Sequence, residues 1–379
     1  MRRPLSLLTL LVLLMVLLSF GSQLLAAGPE RQDPLLQNEL ARIVKRYELP
    51  GMVAAVIWKG RVCRMAASGV RKMGESVPIT VDDKIHLGSC TKAMTATLLA
   101  TLVEQQKVAW DAVLPQLLPN LKDVMHESYR DVSLKQLLIH RSGLPANSAR
   151  MFLVGKEKSP TEQRRELFRT VLAQPPQNVP GTEYLYSNLG YMLAGLVAEE
   201  STGESWESLM STRIFRPLGM ETAGFGAPGT LGEIDQPWGH DESPRLGLRP
   251  LQRDNPSILG PAGTVHASLG DWGKFVALHL KHQPIEQIIE NQTIDELHQL
   301  EPQHKYTMGW ISVPREWADG NALTHTGSNT MWMAVVWLAP AKDLAFLAVT
   351  NSGQQVAGKA CDQSIRFMLE SFSPQFPCR

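Results

Sequence analysis

β-rich apolar segments lie near the two ends of this 379-residue chain, while its long middle reads as helix and loop. Near the start, Met52–Trp58 and Val62–Val70 are joined at Lys59-Gly60, a hairpin signal. Near the end, Met308–Val313, Met331–Leu338 and Leu344–Thr350 return to a strand pattern, the last two separated by Ala339-Pro340-Ala341-Lys342-Asp343. A lone hairpin is marginal in water. The simplest way to bury the first one is to join it to the late strands in one antiparallel sheet. The expected fold class is therefore α+β. An antiparallel sheet flanked by helices forms one lobe, from about 29–81 and 300–379, and about 82–299 forms a mainly helical second lobe. The cleft between such lobes is a natural place for a site.

Helical periodicity supports the same division. Leu35 to Tyr47 carries Leu36, Leu40, Ile43 and Val44 on one side. After Lys92 the chain is apolar nearly all round through Leu102 and Val103, the mark of a buried helix. Ser133 and Gln136 form a capping box that opens a helix through Leu137, Leu138 and Ile139. Leu189–Ala198 reads as a second buried helix, Ser268 with Asp271 caps another through Leu280, and a last helix runs from Val356 to Ser371. The Gly- and Pro-rich span 226–260 reads as long surface loop.

Charge excludes one class of partner. Lys+Arg and Asp+Glu are both 37, for a formal net charge of +0. With no basic block there is no electrostatic footprint for nucleic acid. The first residues are different. Arg2 and Arg3 precede an apolar run from Leu5 to Phe20, then Ala26-Ala27-Gly28, which reads as a secretory signal peptide over 1–27. The alternative is an uncleaved anchor, although a spanning helix needs about 20 apolar residues. Such an anchor would be the chain's only membrane contact. The expected location is secreted or periplasmic. There Cys63, Cys90, Cys361 and Cys378 meet an oxidising space, where three full pairings exist. Cys90 reads as a free buried residue, and a Cys63–Cys361 bridge is one pairing considered.

Three short motifs carry chemistry. Ser89-Cys90-Thr91-Lys92 sets a hydroxyl and an amine three residues apart where a helix begins, so that both lie on one face. Ser-x-x-Lys arises roughly once by chance in a chain this long, and a serine there can simply cap the helix. Its setting adds weight, because a hydroxyl at a helix start lies in the positive end of the dipole and its amide is available to an oxyanion. Tyr186-Ser187-Asn188 opens the helix of Leu189, Met192 and Leu193. A nearby lysine cation would favour the Tyr186 phenolate as general base and acid, with Asn188 fixing Lys92 or a substrate carbonyl. A packed tyrosine beside a capping asparagine is the alternative. His325-Thr326-Gly327 ends a short β segment, Ala322 to Thr324, ahead of Ser328. Glycine there would let a substrate approach the strand edge, and the Ser328 amide would be a second oxyanion donor. Otherwise His325 is a surface histidine in a turn.

Taken together and in this order, the motifs resemble the serine β-lactamase and penicillin-binding protein superfamily. Tyr-x-Asn as the second motif resembles the class C β-lactamase-related branch, with its D,D-peptidases and esterases. The likeness extends over nearly all of the exported chain, through Leu137-Leu138-Ile139-His140-Arg141-Ser142-Gly143-Leu144-Pro145, Pro180-Gly181-Thr182, Pro217-Leu218-Gly219-Met220, Ala262-Gly263 and Thr350-Asn351. The resemblance implies Ser89 as nucleophile, with Lys92 and Tyr186 managing its proton. It also implies a substrate-binding set of Asn188, His325, Gly327 and Ser328, with the Ser89 and Ser328 amides as oxyanion hole. No cofactor or metal is needed. The implied substrates are small esters, or amides and peptides bearing D-amino acids, including peptidoglycan-type fragments. A catalytically silent module that holds a peptidoglycan or lipid fragment is the rival reading. Two departures argue against efficient β-lactam hydrolysis. The family usually carries Lys where His325 stands, and Gly-Phe where Met331-Trp332 stands. A histidine of ordinary pKa is mostly neutral at pH 7 and anchors an anion weakly. Trp332 would line the cleft or belong to the sheet core. His240, His266, His279 and His282 lack metal-ligand spacing.

Overall fold

The computed structural model describes residues 32–373 except 156, 283, 285, 286 and 303. The signal-peptide segment 1–27 and Cys378 lie outside the described residues.

Strand β1 (Gly51–Trp58) turns into β2 (Arg61–Gly69), and the late strands are β3 (Ile311–Arg315), β4 (Gly320–Ser328), β5 (Met333–Ala339) and β6 (Leu344–Thr350). They form one antiparallel sheet in the order β2-β1-β6-β5-β4-β3. The two ends of the chain thus meet at its centre, with Met52 opposite Thr350 and Trp58 opposite Leu344. The hairpin turn has Lys59 and Gly60 both at positive φ (48° and 73°), the backbone twist that a two-residue connection requires. β1 and β6 are buried on both faces, which is why their sequences run continuously apolar rather than alternating.

The longer helices are α1 (Pro34–Tyr47), α2 (Thr91–Glu104), α3 (Pro160–Val171), α4 (Asn188–Thr202), α5 (Leu269–His279) and α6 (Ala357–Ser371). α1 and α6 cover one sheet face, where Leu36, Leu40 and Ile43 meet Val56, Phe346, Ile365 and Met368. The other face, through Val53, Ala55 and Ile57, joins the core of the helical part. α2 is the axis of that core, with Thr91 through Leu102 all buried.

Four expectations need correction. The α-helix begins at Thr91, because Gly88–Cys90 forms a 3₁₀ turn ahead of it. The span 226–260 is not all loop: Gly239–Ser243 pairs with Gly247–Leu251 as a hairpin. The short β segment at Ala322 is the middle of the nine-residue β4, which continues through His325 to Ser328. Cys361 is a free buried thiol, as is Cys90, whereas Cys63 is disulfide-bonded, so Cys63–Cys361 is not a pair. Cys361 lies in the α6 core layer, a setting that favours a small thiol. Trp332 is 1% exposed and belongs to the core.

One buried ion pair ties the helical part together. Arg164 of α3 is fully buried and pairs with Glu199 of α4 and with Glu207. Glu199 also accepts from Thr161 and from the Trp206 amide. Glu199→Ala removes the shared acceptor and leaves the guanidinium with Glu207 as its one carboxylate, beside the Ser257 and Ile258 carbonyls. It is expected to destabilise the protein by about 3–5 kcal/mol, read as a lower urea midpoint.

Candidate active site

Ser89 stands on the 3₁₀ turn, half-buried, and Lys92 follows one turn later inside α2, fully buried. The spacing brings Lys92 Nζ to 3.1 Å from Ser89 Oγ. The amine has two other partners, Asn188 Oδ1 at 2.8 Å and the Ala262 carbonyl at 2.7 Å. Both are acceptors only. A neutral lysine has two N–H bonds and one lone pair, so those carbonyls take the hydrogens and the lone pair is left for the Ser89 hydroxyl. Burial lowers the Lys92 pKa to about 7, within reach of that neutral state at physiological pH.

Tyr186 also reaches Ser89. Its phenol is hydrogen-bonded to Ser89, yet burial pushes its pKa above the usual tyrosine value of 10. The phenolate expected from the nearby cation is therefore not the resting form. Lys92 Nζ lies 4.8 Å from the Tyr186 ring centroid, over the ring. The Tyr186-Ser187-Asn188 arm is held by the loop 140–147. Ser187 N–H donates to His140 Nδ1 (3.1 Å), Ser187 Oγ to the Pro145 carbonyl (2.7 Å), and Asn188 Nδ2 to Asn147 Oδ1 (2.9 Å). The last bond sets the Asn188 amide so that its oxygen faces Lys92.

His325 is not a surface side chain. It is 3% exposed. Its Nδ1 donates to the Thr326 carbonyl (2.7 Å) and its Nε2 accepts from the Tyr306 hydroxyl (2.9 Å). Burial, with Lys92 nearby, lowers its pKa to about 3. A neutral ring with both nitrogens engaged is no anion anchor, and it does not titrate near pH 7. The chain places it beneath the site rather than in its mouth.

Gly327 has a different reason from the one its position in a strand suggests. A Cβ built there falls 1.9 Å from the Leu87 carbonyl oxygen and 2.9 Å from the Ser89 amide nitrogen. On the facing turn, Gly88 sits at φ 50°, and a Cβ built there falls 2.4 Å from the Ser328 amide nitrogen. Two glycines thus let the turn that carries Ser89 lie directly on β4, with the Ser89 and Ser328 amides at this contact. Ser328 is exposed.

Buried polar residues that the motifs do not reveal support this contact. Gly88 N–H donates to His86 Nδ1 (3.1 Å), and His86 Nε2 lies 2.8 Å from Asp254 Oδ1. Asn329 Nδ2 donates to the same oxygen (2.9 Å). Asp254 thereby bridges the turn before Ser89 and the strand end after Ser328. Nothing in the sequence near Asp254 signals it. Asn147 could have been suspected, because it closes the loop that begins at His140. Among the described residues no group of three or more His, Cys, Asp and Glu side chains is arranged to hold a metal ion.

The profile of the family described as Beta-lactamase matches residues 36–367. The chain belongs to the beta-lactamase family. Within it, the chain is 30% identical over 254 residues to penicillin-binding protein 4 of Amycolatopsis lactamdurans, covering 64% of this chain and 63% of that one. It is 28% identical over 264 residues to an unguisins hydrolase of Aspergillus campestris, covering 66% and 48%. The aligned stretch therefore spans less than two thirds of these relatives. Among solved structures, the octameric penicillin-binding protein homologue from Pyrococcus abyssi superposes with a TM-score of 0.74 at 22% identity, over 89% of this chain and 77% of that one. The D-amino acid amidase from Ochrobactrum anthropi SV3 gives 0.70 at 21%, over 88% and 97%. At such identities the structural likeness speaks for the fold, which is the α+β beta-lactamase fold.

Proposed function

We propose that this beta-lactamase family member is a serine hydrolase working through an ester on Ser89. The observation that carries this reading is the Lys92 amine, 3.1 Å from Ser89 Oγ with two carbonyl partners taking its hydrogens. In the first step neutral Lys92 accepts the Ser89 proton while Oγ bonds to the substrate carbonyl carbon. The Ser89 and Ser328 amides receive the negative charge that develops on the carbonyl oxygen. The bond to the leaving group then breaks, and that group takes a proton from Tyr186 or Lys92. Water attacks the ester in the reverse sense and frees Ser89. A base whose pKa lies near the working pH is best matched to this task, which favours Lys92 over Tyr186 as the resting base.

The substrate class in this reading is small esters, or amides and peptides bearing D-amino acids. The D-amino acid amidase and a D-alanine carboxypeptidase from Burkholderia cenocepacia among the structural neighbours are in keeping with it. The neutral, buried His325 argues against a β-lactamase that depends on a cationic carboxylate anchor at that position. An exported chain, secreted or periplasmic, and a peptidoglycan-type substrate extend the proposal on the strength of the sequence alone.

Treatment with a fluorophosphonate and with a labelled penicillin, followed by intact mass, tests the reading. A single adduct is expected on the wild type with at least one probe and none on Ser89→Ala. No Ser89-dependent adduct with either, in protein shown to be folded, would overturn it and favour the silent binding module.

A further inference from the structure

The two amides offered as oxyanion donors come from segments far apart in the chain, the Gly88–Cys90 turn and the end of β4 at Ser328. Neither half is held by its own backbone preference. The turn opens on Gly88 at φ 50°, which glycine adopts freely and leaves as freely. The stretch after Ser328 contains Thr330 at φ 72°, where a β-branched residue is strained. Such backbone persists only where its surroundings over-determine it. Ser328 Oγ accepts from the Thr330 amide (2.9 Å) and Asn329 Oδ1 from the Met331 amide (3.2 Å). These bonds are internal to the stretch and do not fix its distance from the turn.

One buried carboxylate reaches both halves. Gly88 N–H donates to His86 Nδ1, so the ring hydrogen is on Nε2, which lies 2.8 Å from Asp254 Oδ1. Asn329 Nδ2 donates to that same oxygen (2.9 Å). The other oxygen, Oδ2, is buried and has no hydrogen-bond partner among the described residues. The segment that carries Asp254 is itself anchored beside the site. Asn255 Nδ2 donates to the Gly263 carbonyl (3.1 Å), and the carbonyl of Ala262 is the one that accepts from Lys92. Gly263 lies against the turn: a Cβ built there falls 3.5 Å from the Gly88 carbonyl carbon and 3.7 Å from the Ser89 amide nitrogen.

We propose that Asp254 is a positioning residue for the oxyanion hole, setting the Ser89 amide through His86 and the Ser328 amide through Asn329. This rests on the serine hydrolase reading and adds to it a residue that acts through its two neighbours rather than on the reacting atoms. Donors held in place need no rearrangement as charge develops on the carbonyl oxygen, and a displacement near 1 Å costs about 10²-fold in rate. The proton path through Lys92 does not include Asp254. Loss of Asp254 therefore lowers the rate without moving the pH at which Lys92 becomes neutral.

The test follows fluorophosphonate labelling of Ser89 against pH, with urea midpoints read in parallel. Asp254→Ala removes both contacts and is expected to lower the labelling rate about 10²-fold at every pH, with the pH midpoint near 7 unmoved. Asp254→Asn keeps an oxygen for both neighbours but puts an unpaired amide group where buried Oδ2 stood. It is expected to lose stability and yet to label within about threefold of wild type. Asn329→Ala releases one half only. It should cost about tenfold in the wild-type background and less than about twofold in Asp254→Ala, the coupling of residues that act through one contact. Glu199→Ala, which removes a buried carboxylate from the helical part, is the stability control and should keep the wild-type labelling rate below its unfolding transition. A rate that falls with the urea midpoint across all these variants overturns the positioning role. So does a moved pH midpoint in Asp254→Ala, or labelling of Asp254→Ala at close to the wild-type rate; each leaves the hydrolase intact. Should Asp254→Ala not fold, Asp254→Asn labelling no faster than Asn329→Ala overturns the role. Absence of any Ser89 labelling in wild type overturns the hydrolase, and the positioning role with it.

Discussion

Lys92→Met is expected to lower the rate of Ser89 acylation by about 10³-fold or more, within the range that a lost nucleophile base produces. It should also abolish a rise of rate with pH centred near 7. The wild-type rise follows from the Lys92 pKa, which burial lowers to about 7. Only the neutral amine accepts the Ser89 proton, so below that pH the rate should fall tenfold per unit. His325, brought to about 3 by burial, contributes nothing in this window. Titration of His325→Ala should therefore show the same midpoint as wild type, whatever its absolute rate. Stability gives an independent check. In the unfolded chain Lys92 holds its proton up to the ordinary lysine value of 10.5, but in the folded protein only to about 7. Between these values the unfolded state binds more protons, so stability rises with pH across that window. Below pH 7 folding must bury a cation. Denaturation at pH 6 and pH 9 should show wild type gaining more stability at the higher pH than Lys92→Met does. Equal gains would mean that Lys92 is not neutral in the folded state.

Gly327→Ala is the second large effect. The added methyl would lie 1.9 Å from the Leu87 carbonyl oxygen and 3.0 Å from the Cys90 amide nitrogen. Both are backbone atoms that no side-chain rotation can move. Either β4 or the Ser89 turn must retreat, which carries the Ser89 and Ser328 amides apart. Destabilisation of about 2–4 kcal/mol is expected, in the range of severe overpacking. A loss of at least 10² in kcat/KM should accompany it, since displacements near 1 Å cost that much. Gly226→Ala is the control: its Cβ meets no atom within 4 Å although its φ is 87°. It should cost some stability and leave kcat alone. A Gly327→Ala protein with normal kcat would show that the contact between turn and strand does not set the oxyanion geometry.

The sheet and the meeting of Ser89 with Lys92 were legible in the sequence because both rest on local pattern. Alternation, turns and a three-residue spacing survive without knowledge of the fold. Lys92 meets Ser89 by helix geometry alone, and the late strands announce themselves by composition. What sequence did not reveal depends on contacts between distant segments. His325 reads as a turn residue until β4 is seen to continue past it and Tyr306 to cover it. Gly327 looks like room for a substrate until the Leu87 carbonyl is found in that room. Asp254 sits in a segment rich in turn formers, and only the folded chain brings it to His86 and Asn329. The tyrosine phenolate failed for a related reason. Proximity to a cation was legible, but the depth of burial that outweighs it was not.

The pairing of β1 with β6 has a consequence in time. β1 exists early in synthesis, yet its partner across the sheet centre is Leu344–Thr350, and the strand that backs Ser89 ends at Ser328. Until those residues emerge, a hydrophobic strand edge stands open, and such edges invite pairing with other chains. Ser89 and Lys92 can meet on their own helix before then, but the Ser328 amide cannot yet lie against them. The contact between the Ser89 turn and β4 thus forms late as the chain is made. By the same topology, parting β4 from the Ser89 turn would separate the Ser89 and Ser328 amides.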